Sequence, residues 1–487
     1  MVVVGLVMTA LMDRLLFTRP KRVPARIRTA LEKLGPTFMK IGQILSLRSD
    51  IIPLEYCDEL KKLLDAAPPF SFDAVKAILE SELGQPFGEV FKALGPRPLA
   101  AASLAQVHSG VLRNGHKVAV KVQRPGIRPV IERDLTLLRH LAFFLEKYIP
   151  PARNFRPLAT VKEIYEAMVQ ELDFNIEARN AQRFRDNFQE SKTVRIPRIY
   201  WKYTTGRVIV MEFIEGIRVD AFEELAEAGI DKKQVALNAC HAILKQIFID
   251  GFFHADPHPA NVFAFADNSV CFLDFGMFGE FNEEQKKQML LILVCMIRGD
   301  EENYIRNLVG ITETGPGSDL AGFIRASREQ FRGWYGSTVK EYSMSLAFFR
   351  ALHIGARYTV LFPSNLIIFA KVLVTTETVA AQLDPDFSIG VAARPFVEDL
   401  YSNLLVPKEM MRLFERSLSL YIIFLRRLLR IWGKTLERFE TETIGIFEEE
   451  DPEYALLPGP EPVGEDHSGS LSGPLHPKSP GISGKSL

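Results

Sequence analysis

The sequence has little of several features that mark common classes of protein. Its formal net charge is only -1, so the bulk charge gives no indication of nucleic-acid binding. The cysteines are few, and their spacing matches no metal-binding or redox pair. We therefore expect reduced, buried thiols in a cytosolic type of compartment. The four cysteines are Cys57, Cys240, Cys271 and Cys295.

The amino terminus lacks an apolar run long enough to span a bilayer. MVVVGLVMTALM is apolar over about 12 residues, whereas a spanning helix needs about 20. It has no charge before the apolar part and no small-residue cleavage site, which argues against a secretory signal. The basic flank that follows would suit anionic lipid headgroups. We treat 1–30 as an apolar and basic segment that either contacts lipid or packs on the rest of the protein.

The remaining chain divides into segments of different character, consistent with two or three domains by length. The pattern predicts a helical extension over 31–95, a small mixed lobe with inserted helices over 96–214 and a large helical lobe over 215–400. An amphipathic helix is predicted within 401–440. The tail over 441–487 is predicted to be disordered because its end, Pro458–Leu487, is rich in Pro, Gly and Ser. The fold class is α+β, with a cleft between two unlike lobes.

Local signals predict several elements inside these segments. Ser71 is a candidate N-cap for a helix over 71–83. Glycine, proline and hydrophobic periodicity locate the other elements. We predict helices over 127–147 and 157–189, strands over 194–201 and 207–213, and loops at 251–262 and 274–281.

The stretch NGHKVAVKV predicts a strand with one functional face. Side chains alternate along a strand, so Val118, Val120 and Val122 share the core face, and Ala119 and Lys121 share the other. A small residue beside a lysine leaves room for a flat ring while the ammonium reaches phosphates. The alternative is an edge-strand lysine in solvent, and this stretch alone does not exclude it.

Two later stretches add groups that suit phosphoryl transfer. FFHADPHPAN contains Asp256 and Asn261, five residues apart, and VCFLDFGMFG contains Asp274 followed by Phe and Gly. This order matches the protein-kinase signature. Lys121 would hold phosphates, and Asn261 and Asp274 would hold Mg²⁺, which prefers oxygen ligands. Asp256 would orient or deprotonate the attacking group.

Further residues complete a predicted nucleotide pocket. Glu177, at the start of EARN, is the candidate carboxylate partner of Lys121. In VIVMEFIEG, Met211 would lie behind the adenine, and the backbone from Glu212 to Ile214 would hydrogen-bond it. The sequence pattern gives no role to Glu171 and Asp173, and carboxylates on a polar helix usually lie on its solvated face.

The segment before the lysine strand has alanines where a phosphate loop usually has glycines. It reads Ala100, Ala101, Ala102 and Ser103. A methyl group at each position restricts the positive-φ conformations that let glycine amides wrap phosphates. We therefore expect this loop to bind nucleotide differently from the loop of an ordinary kinase.

These stretches together resemble the UbiB family, also called aarF-domain-containing kinases, which are atypical members of the protein-kinase-like superfamily. The resemblance implies a bilobal protein-kinase-like fold with a helical N-terminal extension and a large helical C-lobe. The matching pieces are LGPTFMKIGQILSLRSDIIP, PLAAASLAQVHSG, VAVKVQRPGI, QELDFNIEARNA, VIVMEFIEGI, FFHADPHPAN, LDFGMFG and FPSNLIIFAKVLVTTETVAAQLDP.

The resemblance also implies roles for residues that the patterns leave unexplained. Lys40 and Gln43 of KIGQ would lie on a helical extension that folds over the active site, and Gly42 would allow close backbone approach. Glu171 and Asp173 match the family's acidic pair near the nucleotide. The Ala100–Ser103 run matches its alanine-rich loop.

Two departures from the family pattern are small. Ala260 stands where relatives often have Gly, which concerns local loop geometry. The pair of C-terminal spanning helices found in many bacterial relatives is not seen in this sequence.

The stretch 408–438 predicts an amphipathic helix that carries several arginines. The arginines interrupt its apolar part, so it should lie in a membrane interface rather than span one. Packing against the helical lobe or against a second copy is the alternative. Its apolar face comprises Leu418, Tyr421, Ile422, Leu425, Leu428, Leu429 and Trp432.

The functional expectation is an atypical kinase or ATPase that uses ATP and Mg²⁺. From the resemblance, it would support isoprenoid-quinone lipid synthesis, peripherally on the cytoplasmic side of a membrane or its organelle equivalent. The expected partners are a lipid or quinone precursor, a membrane surface and, as an open option, a second copy, but not nucleic acid. The alternatives are a nucleotide-sensing scaffold without turnover and a small-molecule phosphotransferase.

Overall fold

A computed structural model of the chain describes residues 23–46, 52, 54–60, 62–63, 67–149, 157–315, 317–335 and 343–405. The apolar start of the sequence, the predicted amphipathic helix at 408–438 and the predicted tail lie outside the described residues.

The helical extension consists of α1 (Val23–Leu34), α2 (Pro36–Leu45) and α3 (Leu54–Leu60). Gly35 joins the first two with a φ of 100°, a conformation that favours glycine, and Pro36 opens α2. Helix α2 buries Phe38 and Ile41 in an apolar cluster shared with the inserted helices. The extension is therefore packed onto the small lobe.

The small lobe is built on an antiparallel sheet. Its strands are β1 (Phe91–Leu94), β2 (Ala100–Ala101), β3 (Ala105–Leu112), β4 (Lys117–Gln123) and β6 (Val208–Glu212). The spatial order is β1-β3-β4-β6, and β2 pairs with β3. The predicted alternation on β4 is seen, because all three valines lie in one core cluster.

Two helices precede β1. Helix α4 (Phe72–Leu83) begins after Ser71, whose hydroxyl accepts a hydrogen bond from the Ala74 amide at 3.3 Å, as predicted. The short helix α5 (Phe87–Val90) follows it. Helix α4 covers the core face of the sheet with Val75 and Leu79.

The inserted helices are α6 (Ile127–Tyr148), α7 (Pro157–Glu171) and α8 (Phe174–Asn187). The prediction of one continuous helical stretch over 157–189 is wrong. The first helix ends at Glu171. Asp173 is the N-cap of α8, and its carboxylate accepts a hydrogen bond from the Asn175 amide at 3.0 Å.

The large lobe contains short strands, most of which the sequence analysis did not predict. β5, β10, β9 and β7 form one sheet, and β11 pairs with β8. The loops predicted at 251–262 and 274–281 therefore contain paired strands. The bounds are β5 Val194–Arg195, β7 Ile217–Arg218, β8 Phe252–His254, β9 Val262–Ala264, β10 Val270–Phe272 and β11 Phe278–Glu280.

The predicted strand over 194–201 is also too long. Only Val194–Arg195 forms a strand, β5, and Ile199 makes a single antiparallel bridge to Met211. The segment then enters a 3₁₀ turn at Trp201–Tyr203. Pro197 has no amide hydrogen to donate, which disfavours continued ladder pairing there.

The helices of the large lobe pack around one extended apolar core. All four cysteines are free thiols, and all four are buried, as predicted. The helices are α9 Phe222–Glu227, α10 Lys232–Lys245, α11 Glu283–Arg298, α12 Glu301–Gly310, α13 Leu320–Tyr335, α14 Met344–Arg357, α15 Ser364–Leu383 and α16 Ile389–Leu405. β12 (Glu313–Thr314) and β13 (Val360–Leu361) pair as a small antiparallel sheet, with α13 and α14 between them in the chain.

Helix α15 is long and strongly apolar. Among the described residues, only its stretch Asn365–Leu383 has the length and composition to cross a membrane. Over half of that stretch, 56%, is buried inside the protein. The same features characterise a core helix, and α15 packs against α10 and α14.

Candidate functional site

The centre of the site is an ion pair between β4 and α8. The Lys121 ammonium lies 2.7 and 2.8 Å from the two carboxylate oxygens of Glu177, the partner proposed for it. Asp274 Oδ1 is 3.7 Å from the same ammonium. Burial would lower the pKa of Lys121, but the charges of Asp274 and Glu177 outweigh it and raise the pKa. The lysine is therefore a fixed positive charge facing the cleft.

Asp274 follows β10 in an uncommon backbone conformation, with a φ of 60°. Its side chain is 55% exposed, and the Gly276 amide donates to it at 3.3 Å. The Lys121 charge lowers the pKa of Asp274 to about 2, against the opposing effect of burial. Asp274 is thus an ionised, accessible carboxylate, as a metal ligand requires.

Asp256 and Asn261 occupy one loop after β8. The Asn261 amide group donates to the Asp256 carbonyl at 3.3 Å, and the Asp256 amide donates to Nδ1 of His254 at 3.0 Å. His254 is buried, which lowers its pKa, and its Nε2 lies 3.0 Å from the Leu273 carbonyl. This histidine therefore joins the Asp256 loop to the Asp274 loop.

Lys371 was not singled out from the sequence, although it belongs to the site. Its ammonium donates to Asp256 Oδ1 at 2.8 Å from helix α15. Burial would raise the pKa of Asp256, but the Lys371 charge and hydrogen bond lower it. A signal existed in LIIFAKVLV, because a single lysine within an apolar helix requires a partner.

The extension reaches the site through Lys40. Its ammonium is 2.8 Å from Glu171 Oε1, and the two side chains are 15% and 13% exposed. Gln43 instead donates to the Leu63 carbonyl at 3.2 Å, within the extension. Asp173 serves as the cap of α8. The structure therefore brings Lys40 and Glu171 together and gives Gln43 and Asp173 other partners.

The alanine-rich segment adopts a strand and turn. Ala100 and Ala101 form β2 against β3, and the Ala102 amide donates to the Ala105 carbonyl at 2.7 Å. Ser103 is fully buried at the turn. The Ala102 amide is therefore engaged inside the protein rather than directed at a phosphate.

The predicted adenine-facing strand lies beside β4. Met211 is paired in register with Ala119, so both residues neighbour the Lys121 face. The Glu212 amide donates to the Arg198 carbonyl at 2.8 Å. The Ile214 amide has no acceptor among the described residues. It is therefore available to a ligand, whereas the Glu212 amide is not.

The oxygen atoms of this site suit a magnesium ion that is bound partly by the protein and partly by a nucleotide. No group of three or more His, Cys, Asp or Glu side chains in the described ranges could hold a metal by itself. Asp274 and Asn261 can supply two oxygens, and Mg²⁺ commonly completes its shell with substrate phosphates and waters.

Comparisons with known proteins identify two domains in the chain. Residues 62–308 match the ABC1 atypical kinase-like domain, and residues 328–388 match the UbiB helical domain. The second match contains Lys371, so both matched regions contribute side chains to the site.

Two relatives and one solved structure illustrate the likeness. The chain is 35% identical over 385 residues to Protein ACTIVITY OF BC1 COMPLEX KINASE 7, chloroplastic, of Arabidopsis thaliana, covering 79% of this chain and 55% of that protein. It is 34% identical over 412 residues to Probable protein kinase UbiB of Marinobacter nauticus, covering 84% of this chain and 75% of that protein.

The solved structure is the complex of Rv3197 with erythromycin from Mycobacterium tuberculosis. The two structures superpose with a TM-score of 0.51 at 22% sequence identity, and the match covers 80% of this chain and 96% of the Rv3197 chain. This likeness concerns the fold alone, and with the matched kinase-like domain it confirms the predicted α+β, kinase-like architecture.

Proposed function

Because the chain belongs to the UbiB family of ABC1 atypical kinase-like proteins, we propose that it binds ATP with Mg²⁺ in the cleft between its lobes and transfers or releases the terminal phosphoryl group. The observation that carries this proposal is the arrangement around Lys121. One buried carboxylate holds the lysine, and a second, accessible carboxylate lies 3.7 Å away.

Each group has a role in this proposal. Lys121 binds phosphate oxygens, and Glu177 keeps its ammonium in place. Asp274 and Asn261 hold the metal, which would neutralise charge on the phosphates. Asp256 orients the attacking oxygen. The Glu212–Ile214 backbone binds the adenine beside Met211 and Ala119.

The acceptor is proposed to be water or a small or lipid-like hydroxyl. The Lys40–Glu171 ion pair ties the helical extension to the end of α7. An extension held there would hinder the approach of a bulky protein substrate, which supports a small acceptor. Together with the family's tie to isoprenoid quinones, this supports a role in quinone-lipid metabolism, with a lipid or quinone precursor as ligand at a membrane surface.

A nucleotide-sensing scaffold is the second candidate. The Asp256 carboxylate is engaged by Lys371 at 2.8 Å, and a base held in an ion pair is a poorer proton acceptor. A scaffold would use the same nucleotide contacts without turnover, so the two candidates differ in phosphate release.

Phosphate release separates these candidates. Purified protein would be assayed with Mg²⁺ and ATP, with and without vesicles of neutral and anionic phospholipid that contain an isoprenylated phenol. We expect Asp274→Asn to reduce release by about 100-fold or more, because charge stabilisation at the phosphates is lost.

The matched control is Asp186→Asn, which changes an exposed carboxylate bonded to Gln182 on the outside of α8. It should release phosphate like the wild type. Equal release from the wild type and Asp274→Asn would contradict turnover at this site. Tight ATP binding without release under all of these conditions would favour the scaffold.

A further inference from the structure

Arg124, directly after β4, binds three backbone carbonyls from two separate segments. Its Nε donates to the Ser103 carbonyl at 3.1 Å, and its Nη2 donates to the carbonyls of Ala102 at 3.2 Å and Pro68 at 2.9 Å. Its own amide donates to the Leu104 carbonyl at 2.8 Å. The planar guanidinium, with donors in fixed directions, suits such multiple contacts.

The segment 67–70 leads from the helical extension into the small lobe, and it lies along the alanine-rich turn. The Ala67 amide donates to the Ala101 carbonyl at 3.4 Å. The Gln106 side chain accepts from the Phe70 amide at 3.0 Å and donates to the Phe70 carbonyl at 3.3 Å. Arg124 also lies over the Phe70 ring, 5.4 Å from its centroid.

These contacts join three parts of the molecule, which we call the Arg124 clip: Arg124, the turn 101–104 and the segment 67–70. Arg124 is three positions after Lys121, so the clip is anchored on the strand that carries the phosphate-binding lysine. The turn therefore cannot move without breaking charge-assisted hydrogen bonds, which are stronger than neutral ones.

The direction of the clipped carbonyls matters for a nucleotide. A carbonyl oxygen turned toward a polyphosphate would repel it, whereas Arg124 turns the Ala102 and Ser103 carbonyls toward itself. Fixing these carbonyls fixes the surface that the turn presents to the phosphates.

We propose that Arg124 is a positioning residue that locks the alanine-rich turn to the segment leaving the helical extension and thereby sets the relative affinity for di- and triphosphate nucleotides. This inference rests on the proposed nucleotide function. Arg124 acts through the turn and not by touching the nucleotide.

The test combines two measurements on Arg124→Ala and Arg124→Lys. Hydrogen exchange of the nucleotide-free protein should accelerate about tenfold or more both in 99–104 and at the Ala67 and Phe70 amides of 67–70, because both segments lose the same charged donor. Calorimetric titrations with Mg²⁺-ADP and Mg²⁺-ATP should show the ratio of the two affinities changing by about fivefold or more. Arg124→Lys keeps the charge, but its single ammonium lacks the planar fork whose separate nitrogens reach the Ser103, Ala102 and Pro68 carbonyls, so it should shift both readouts in the same direction.

Arg113→Ala is the matched control. The Arg113 guanidinium also donates to a backbone carbonyl, that of Gly88 at 2.6 Å, but on an exposed hairpin turn. It should leave exchange in both segments and both affinities unchanged. Thermal melting of each variant verifies that it is folded.

The outcomes separate this inference from the proposed function. Unchanged exchange in either segment of a folded Arg124 variant overturns the clip. Accelerated exchange in both segments with an unchanged affinity ratio overturns the positioning role. If the wild type binds neither nucleotide, the proposed function fails and the positioning role fails with it, while the exchange data still decide whether the clip exists.

Discussion

Lys371 shows at the scale of a single residue how the site uses distant parts of the chain. The Asp256–Asn261 loop contains no lysine or arginine, so the loop itself supplies no cation beside the carboxylate. Lys371 supplies this cation from helix α15, 2.8 Å from Asp256. In the proposed reaction, a positive charge at this position would orient the carboxylate and stabilise the negative charge that develops during phosphoryl transfer.

We predict that Lys371→Met lowers kcat for phosphate release by about 10-fold to 100-fold, with little change in ADP affinity. The reason is that Asp256 loses its orienting partner, whereas the contacts to adenine and metal remain. Lys371→Arg should restore most of the rate. Steady-state kinetics and ADP titration are the measurements.

Lys286→Met is the control for this substitution. Lys286 is also a largely buried lysine, with its ammonium 2.7 Å from Glu283 and 3.0 Å from the Ile249 carbonyl, outside the site. The kcat of the Lys286→Met variant should equal that of the wild type. Retention of full activity by Lys371→Met would show that the ion pair is only structural.

Single residues also show which parts of the site the sequence can predict. The alternation of valine with Ala119 and Lys121 gave the face of β4 directly, because strand geometry is local. Glu171 and Asp173 look equivalent in the sequence, yet one pairs with Lys40 and the other caps α8. Which partner a carboxylate takes depends on the tertiary positions of several helices, and that information is not local.

At the scale of elements, helix α2 depends on close approach at Gly42. A Cβ atom at this position would lie 2.3 Å from Leu63 Cδ1 and 2.9 Å from Leu31 Cδ1. Both leucine ends would have to move, and Leu63 is buried. Gly42, which was predicted to allow close approach of the backbone, is therefore packed against leucines from other parts of the extension.

We predict that Gly42→Ala destabilises the packing of the extension by about 1–3 kcal/mol through overpacking. Thermal melting should show a lower Tm, and hydrogen exchange should accelerate in 36–45. Adding Leu63→Ala should recover part of the loss by making room for the methyl group.

Gly310→Ala tests whether any glycine-to-alanine change has this effect. Gly310 ends α12 and has no atom within 4 Å of an added Cβ. Its Tm should stay the same or rise slightly, since alanine favours helix. A Gly42→Ala protein that melts like the wild type would contradict the packing argument.

Elements differ in how well the sequence predicts them. Helix α4 could be predicted because Ser71 gives a capping signal and the periodicity covers several turns. β8 and β11 are three residues long, which is too short for alternation to show, and they form only because they pair with each other. The break between α7 and α8 was missed because the capping role of Asp173 requires the chain to turn there.

At the scale of the whole molecule, three regions of the chain meet at one cleft. The extension supplies Lys40, the kinase-like domain supplies Lys121 and Asp274, and the helical domain supplies Lys371. The order of these regions was predicted from the motifs, whereas the contact of the helical domain with Asp256 required the structure.

The central claim is that this cleft binds a metal–nucleotide complex through Lys121, Asn261 and Asp274. The most direct test is a crystal structure of the protein with ADP and Mn²⁺, with the metal located by its anomalous scattering. We predict a manganese peak within bonding distance of the Asp274 carboxylate and the Asn261 side chain, with the ADP phosphates beside Lys121. A cleft that contains neither nucleotide nor manganese, in crystals grown with both in excess, would contradict the account.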